Sequence, residues 1–348
     1  MHRREFLALA TGSLLAPVVR AQSTGAHVSQ MPFLLATGCA VADPFCVQAN
    51  EGWYLTGTQH ARGIEDRRFS LFFSLDLRAW QDLGPILVRP EYEGSHRANY
   101  WAPEFVKHGE AYYLYYTSDS FGDPERRFVR VATSSRLTGP YLDSGAKLVA
   151  KPSIDGHPHF VSPGEGWLFY CGNEGNPHVG QLLVDRFLSP TQLENKSAKV
   201  FPNETVPWEE GPFVIRHLGV YYLFSSMGNW RDGTYHVRVA RAKSIMGPWE
   251  RLMENGAPYK VLQTVEGQSG PGHNSVFRGP DGAWWICYHA WDAGKTGRYP
   301  WVALLSWDSR GYPTVQQTSG PRPATADRNG GRESRIRLSC SPSMSGFG

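Results

Sequence analysis

Helical periodicity is scarce in this 348-residue chain. Beyond the N-terminus, apolar residues rarely recur at i, i+3 and i+4, which argues against a helical body. Long apolar runs are scarce as well. The one candidate, Leu7 to Val19, is too short for a bilayer, which takes about 20 residues, so no membrane span is expected in the mature protein. Charge of one sign is nearly absent: 35 Lys and Arg stand against 32 Asp and Glu. Arg3, Arg4 and Arg20 all lie in the first 21 residues. The remainder is close to neutral, which argues against nucleic acid as a partner. Cysteine is sparse and odd in number, at Cys39, Cys46, Cys171, Cys287 and Cys340, with no CxxC or Cys/His zinc spacing. Cys39 and Cys46 could pair if their strands fold back, but the spacing does not demand it.

The N-terminus reads as an export leader over residues 1–21. Arg3-Arg4 precede Phe6-Leu7, the apolar stretch follows, and Val19-Arg20-Ala21 offers small residues at the cleavage positions. The "RREFL" start resembles a twin-arginine signal, so a periplasmic or secreted location is expected. At the other end, residues 317–348 lose all strand pattern and are rich in Ser, Arg, Gly and Pro. That segment is expected to be disordered.

What the chain has in quantity is aromatics, at 13%, together with 37 Gly and 25 Pro. This mix suits short strands joined by tight turns. The aromatics recur in runs: "GWYLTGT", "AYYLYYTSD", "GWLFYCGN", "VYYLFSSMG" and "AWWICYHAW". Their doublet positions, Trp53, Tyr112, Trp167, Tyr221 and Trp284, stand 59, 55, 54 and 63 residues apart. A second strand follows each run, and two of these lead into the same kind of turn, "LTGPY" and "IMGPW". Repeats of this length with several strands each match the blades of a propeller, whose sheets must stack to cover their apolar faces. Five copies predict an all-β, five-bladed β-propeller over residues 33–315. A β-sandwich is the alternative, but sandwiches do not repeat their strand sequence.

Upstream of each run lies a polar motif: "VADPF" with Asp43, "NYWAPEF" with Glu104, "SIDGHPHF" with Asp155, "WEEGPF" with Glu210, and "GPGHNSVF" with His273. Blades converge on one axis, so these motifs are expected to meet at one mouth of the funnel. Phe45, Trp101 and Trp230 could stack on sugar faces there. Glu104 is expected to hold a blade junction, and Glu209 to be a solvated or hydrogen-bonded neighbour of Glu210. His157, His159 and His178 read as loop polar groups and not as zinc ligands.

The order "ADP", "WAPE", "IDG", "EGP", "GPGHNS", with the "TGPY" and "MGPW" turns, resembles glycoside hydrolase family 43. Members are five-bladed propellers acting on arabinofuranosides, xylosides and related plant polysaccharides. The resemblance implies Asp43 as general base, Glu210 as general acid and Asp155 as the residue that tunes and orients the acid. It sets His273 deep in the funnel, where some relatives bind a calcium ion or a structured water. His273 is thus the one candidate to contact a structural calcium, through water, and no cofactor is required. The third-blade motif here is Asp155-Gly156, where the family often has Asp-Pro.

The chemistry asks for such a set independently. Inversion at a glycosidic carbon needs one carboxylic acid to protonate the leaving oxygen and one carboxylate to activate water, about 6.5–9.5 Å apart. The expected activity is cleavage of α-L-arabinofuranosidic or β-D-xylosidic bonds in plant glycans. An endo-acting arabinanase of the same family is an alternative. A non-catalytic sugar-binding propeller is disfavoured, because all three acids are present. A fructan-cleaving retaining propeller is disfavoured too, because "VADPFC" lacks the flanking Asn and Gly and "EEGP" replaces Glu-Cys.

Overall fold

The structure is a computed structural model that describes residues 33–59, 67–88, 99–120, 123–172 and 180–317. The segment 1–21 expected to be a leader, His178, Cys340 and the residues beyond Gln317 lie outside the described residues.

Each aromatic run forms the second strand of a sheet, hydrogen-bonded on one side to the motif-bearing strand and on the other to the strand that follows. The innermost strands are Ala42–Ala49, Trp101–His108, Ser153–Ser162, Glu209–His217 and Ser269–Arg278. The second strands are Gly52–Thr58, Ala111–Ser120, Glu165–Gly172, Val220–Met227 and Trp284–Trp291. Third strands and shorter outer strands complete the antiparallel blades. The described residues contain strands and turns but no helix. The result is a five-bladed β-propeller.

Gly52–Thr58 is buried at every position, because a blade covered on both faces has no solvent side and no need for polar alternation. Separate apolar layers fill the seams. Leu55, Phe72, Phe277 and Trp285 pack in one cluster, Tyr115, Val129 and Leu168 in another, and Phe169, Val214 and Leu223 in a third. The ring closes where the two ends of the domain meet. Phe33–Leu34 pairs antiparallel with Trp301 and Val302, and so completes the blade made by the last strands.

All five inner strands break register near their start, between Ala42 and Phe45, Trp101 and Glu104, Ile154 and His157, Glu210 and Phe213, and Gly272 and Ser275. At each break one residue is left-handed: Asp43 (φ 48°), Ala102 (46°), Asp155 (59°), Gly211 (56°) and His273 (46°). These are β-bulges, and they explain the motifs. Pro44, Pro103 and Pro212 come next, and a residue with no N–H loses nothing where the ladder is interrupted.

The bulge residue's own N–H leaves the sheet and crosses to the neighbouring blade. Ala102 N donates to Thr58 Oγ1 (2.8 Å), Asp155 N to Thr117 Oγ1 (3.0 Å), His273 N to Ser226 Oγ (2.8 Å) and Asp43 N to His289 Nδ1 (3.0 Å). Each acceptor is paired with the residue just before a bulge in its own blade. In the third blade that place belongs to Cys171, opposite Ile154. A thiol is a weak acceptor, and there Asp155 Oδ2 takes the N–H of Gly211 instead (3.1 Å).

Cys46, Cys171 and Cys287 are free thiols, so the Cys39–Cys46 pairing is not formed. Cys46 lies in the buried part of one packed cluster and Cys39 at its margin.

Replacing Thr117 by Val keeps the shape but strands the buried Asp155 N–H. A loss of about 1–3 kcal/mol is expected, read as a lower urea midpoint with unchanged slope.

Candidate active site

The bulges open into a cavity of about 550 Å³ at the start of the inner strands, lined by Asp43, Asp155, Glu210, His273, Trp101, Trp230, Trp208 and Arg298 among others. Six of the seven residues expected at the site therefore meet in one place. The seventh, Phe45, does not. It lies two residues beyond the bulge, where its ring packs edge-on against Phe105 (5.1 Å) and against Phe213 (6.4 Å). The bulge between Ala42 and Phe45 changes the side-chain parity and turns the ring away from the mouth, so Phe45 is core and not a sugar contact.

Asp43 is almost enclosed. Thr58 Oγ1 donates to its Oδ2 at 2.5 Å, while Arg298 Nη1 and His273 Nδ1 each stand 3.4 Å from Oδ1. Burial alone would raise its pKa, but His273, Arg298, His289 and the Thr58 hydrogen bond hold it well below the usual carboxylate range. Asp155 has the opposite balance. Burial comes first, His273 opposes it, and the negative charges of Glu210 and Asp43 push its pKa up to about 7. His273 Nδ1 lies 3.8 Å from Asp155 Oδ2. Burial would strip the proton from this imidazole, but Asp43, Asp155 and Glu210 raise its pKa. The imidazole is thus drawn toward its charged form among three acids.

Glu210 comes one residue before its bulge, unlike the two aspartates. Its carboxylate is half-buried and held from both sides: Trp208 Nε1 donates to Oε2 at 2.5 Å and Tyr235 OH to Oε1 at 2.6 Å. Glu209 points to the other face of the strand. It is the more deeply buried of the two, with only 1% of its side chain exposed, clasped by Arg251 at 2.5 and 2.6 Å and by Ser225 at 2.5 Å. Of the two roles expected for it, solvation is overturned and hydrogen bonding holds.

Glu104 and His157 form a buried junction below the acids. His157 Nε2 accepts the Val214 N–H at 3.0 Å, so Nδ1 carries the proton and donates to Glu104 Oε2 at 2.7 Å. His157 ties three inner strands together and is not a loop group. His159 is also on a strand, with its pKa held down to about 4 by burial and by His157.

Calcium takes six to eight oxygens, and the side-chain oxygens beside His273 Nδ1 are those of Asp43 and Asp155, so a calcium held at this imidazole would take most of its ligands from water. Among the described residues no group of three His, Cys, Asp or Glu side chains is arranged to hold a metal.

Sequence reasoning missed Thr58, Tyr235, His289 and Arg298. Thr58, Thr117, Ser226 and His289 were legible as a column, since a polar side chain falls five residues after the doublet position in four of the five runs. Arg298 and Tyr235 carry no local signal.

A propeller mouth that gathers acids from three blades around one imidazole has the makings of a carbohydrate-cleaving site. The comparisons agree. The model of glycosyl hydrolases family 43 matches residues 38–313, and the chain belongs to that family. It is 30% identical over 271 residues to a β-D-galactofuranosidase of Aspergillus niger, covering 74% of this chain and 76% of that one. It is 26% identical over 333 residues to extracellular endo-α-(1→5)-L-arabinanase 1 of Bacillus subtilis, covering 89% and 98%. A thermostable family-43 glycoside hydrolase of known structure superposes with a TM-score of 0.69 at 25% identity, covering 82% of this chain and 95% of the other. The protein is a glycoside hydrolase.

Two outcomes test these environments. Arg251→Met leaves the Glu209 charge buried and unpaired, and a loss of about 3–5 kcal/mol is expected by urea unfolding. The second concerns pH. A carboxyl whose pKa is raised on folding favours the folded state fully below its unfolded value of 3.8, and that contribution is lost as pH rises through about 7. The raised pKa of His273 acts in the same direction. The Asp155 contribution is therefore expected to fade between pH 3.8 and about 7. It is read as the difference in pH-dependent stability between the native protein and Asp155→Asn, since His159, His217, His236 and His289, held below their ordinary pKa, act in the opposite direction.

Proposed function

We propose that the protein hydrolyses α-L-arabinofuranosidic bonds in plant cell-wall glycans with inversion, using Asp43 as general base, Glu210 as general acid and Asp155 to tune and orient the acid. The observation that carries this reading is the gathering of three acids in one cavity, with Asp43 held ionised as a base must be, and with Glu210 fixed by Trp208 and Tyr235 on the cavity wall.

Asp43, ionised and aimed into the cavity, takes a proton from water as that water's oxygen bonds to the anomeric carbon. The bond to the leaving oxygen breaks as Glu210 gives up its proton to it. Asp43 ends protonated and Glu210 ionised, and exchange with solvent resets both. Asp155 accepts the N–H of Gly211, the residue next to Glu210, and so anchors the acid's backbone. Trp101 and Trp230 supply faces for sugar rings, and His273 hydrogen-bonds the sugar bound at the acids.

The arabinose reading draws on the Bacillus relative and on the furanoside named for the Aspergillus one. A match over 98% of the Bacillus chain also favours a second reading, endo-cleavage of arabinan. β-D-Xylosides are the remaining alternative. Export through residues 1–21 is part of the proposal and is supported by the extracellular label of that relative. Among the described residues no helix is long and apolar enough to cross a membrane.

Purified protein is expected to release arabinose from aryl arabinofuranoside faster than xylose from aryl xyloside, with the inverted anomer appearing first by NMR. First appearance of the retained anomer would overturn the mechanism. Oligosaccharides as the early products from debranched arabinan would select the endo reading. Glu210→Ala and Asp43→Ala are each expected to lower kcat on natural linkages about 10²–10⁴-fold. A near-normal rate in either removes that residue from its role.

A further inference from the structure

We infer that Tyr235 is a positioning residue for the reaction: it fixes the Glu210 carboxylate relative to Asp43 by touching the acid through its hydroxyl and the base's support through its ring. The inference rests on Glu210 being the acid.

Trp208 alone cannot fix Glu210, because it lies two residues earlier on the same segment and moves with it. Tyr235 reaches the carboxylate from the far side of a tied loop. Within that loop Asn229 N donates to Thr234 Oγ1 (3.0 Å), Asp232 N to Asn229 O (3.1 Å) and Thr234 N to Asp232 Oδ1 (2.8 Å). Gly228 (φ 92°) lets the loop start, since a Cβ there would lie 2.3 Å from Thr234 O. The loop delivers a tyrosine that is only 1% exposed.

The ring has nowhere else to go. One face stacks on His289, with centroids 5.8 Å apart and planes within 7°. Against it lies Gly272, where a Cβ would come within 2.0 Å of a ring carbon. Glycine is required at 272 because the aromatic ring occupies the side-chain space. His289 is the residue that accepts the Asp43 N–H, so one pinned ring lies between the holder of the base and the carboxylate of the acid. Burial, then Glu210, raise the pKa of the phenol well above its ordinary value. Tyr235 therefore keeps its proton and orients the acid without exchanging with it. Two of roughly four lone-pair sites on the carboxylate are used by Trp208 and Tyr235, which leaves others for the leaving oxygen.

The test uses aryl glycosides of the sugar the native enzyme accepts, from 2,4-dinitrophenyl to unsubstituted phenyl. A good leaving group departs without protonation and a poor one needs it. Glu210→Ala is expected to show this dependence in full. Tyr235→Phe is expected to lower kcat about ten- to thirty-fold on phenyl glycosides, with KM within about twofold, and no more than about threefold on the dinitrophenyl substrate. Gly272→Ala keeps the hydroxyl but displaces the ring, and is expected to show the same slope. It serves as the second variant if Tyr235→Phe fails to fold, and thermal melts check both. An equal loss on all leaving groups, or no loss, in a folded variant overturns the inference while leaving Glu210 as the acid. A flat response in Glu210→Ala would instead remove the acid assignment, and the inference with it.

Discussion

A left-handed residue at the head of each inner strand is the constraint from which the site follows. Such backbone costs about 1–3 kcal/mol for a residue other than glycine, and four of the five positions are not glycine. The cost is offset because the turn frees an N–H that would otherwise lie in the ladder, and that N–H finds a buried acceptor one blade away. Blades that pack through apolar layers thereby acquire a directional link at the axis. The same geometry tips a side chain off the sheet and into the funnel. In three blades that side chain is Asp43, Asp155 or His273, so the residues joining the blades are the ones aimed at the ligand.

The charges in the mouth differ by position more than by type. Asp43 and Asp155 occupy equivalent bulges, yet their protonation tendencies run in opposite directions. Arg298 comes from the third strand of the last blade and reaches only Asp43, and Thr58 is on the second strand beside it. Asp155 has no guanidinium and spends one oxygen on a backbone N–H. Two identical residues on identical backbone thus acquire different chemistry from the neighbours that each blade junction supplies. His273 between them, its pKa raised by the surrounding acids, offsets their mutual repulsion to the extent that it is charged.

The blade count and the acids were legible because a repeat imposes register: once the aromatic runs are aligned, the motif before each must fall at the axis. Phe45, His157 and His159 depart from the sequence reading for the same local reason. Phe45 and Asp43 are two apart, which in an unbroken strand would put both on one face. The bulge between them changes that parity, and the ring turns into the core. His157 was taken for a loop residue because "SIDGHPHF" is rich in turn formers, yet those residues mark the bulge at the head of a strand. Glu209 is a further case. Adjacent glutamates look alike in sequence, and only the approach of Arg251 from a short outer strand explains how the first can be buried as a charge. Tyr235 and Arg298 depend on contacts between distant segments, for which the local pattern holds no trace.

The closure of the ring by Phe33–Leu34 has a consequence for the order of assembly. The last blade borrows its fourth strand from the beginning of the domain, across a separation of nearly the whole body. Closing so long a loop carries an entropic cost that only the finished ring repays. The early strand must therefore wait until Arg298–Trp307 exists before it has a partner. Pro313–Val315 pairs with the far end of that same strand, so both ends of the fold converge on one ribbon. The molecule is latched like a belt, and a linker across the latch would let the chain begin at another blade junction without changing the mouth.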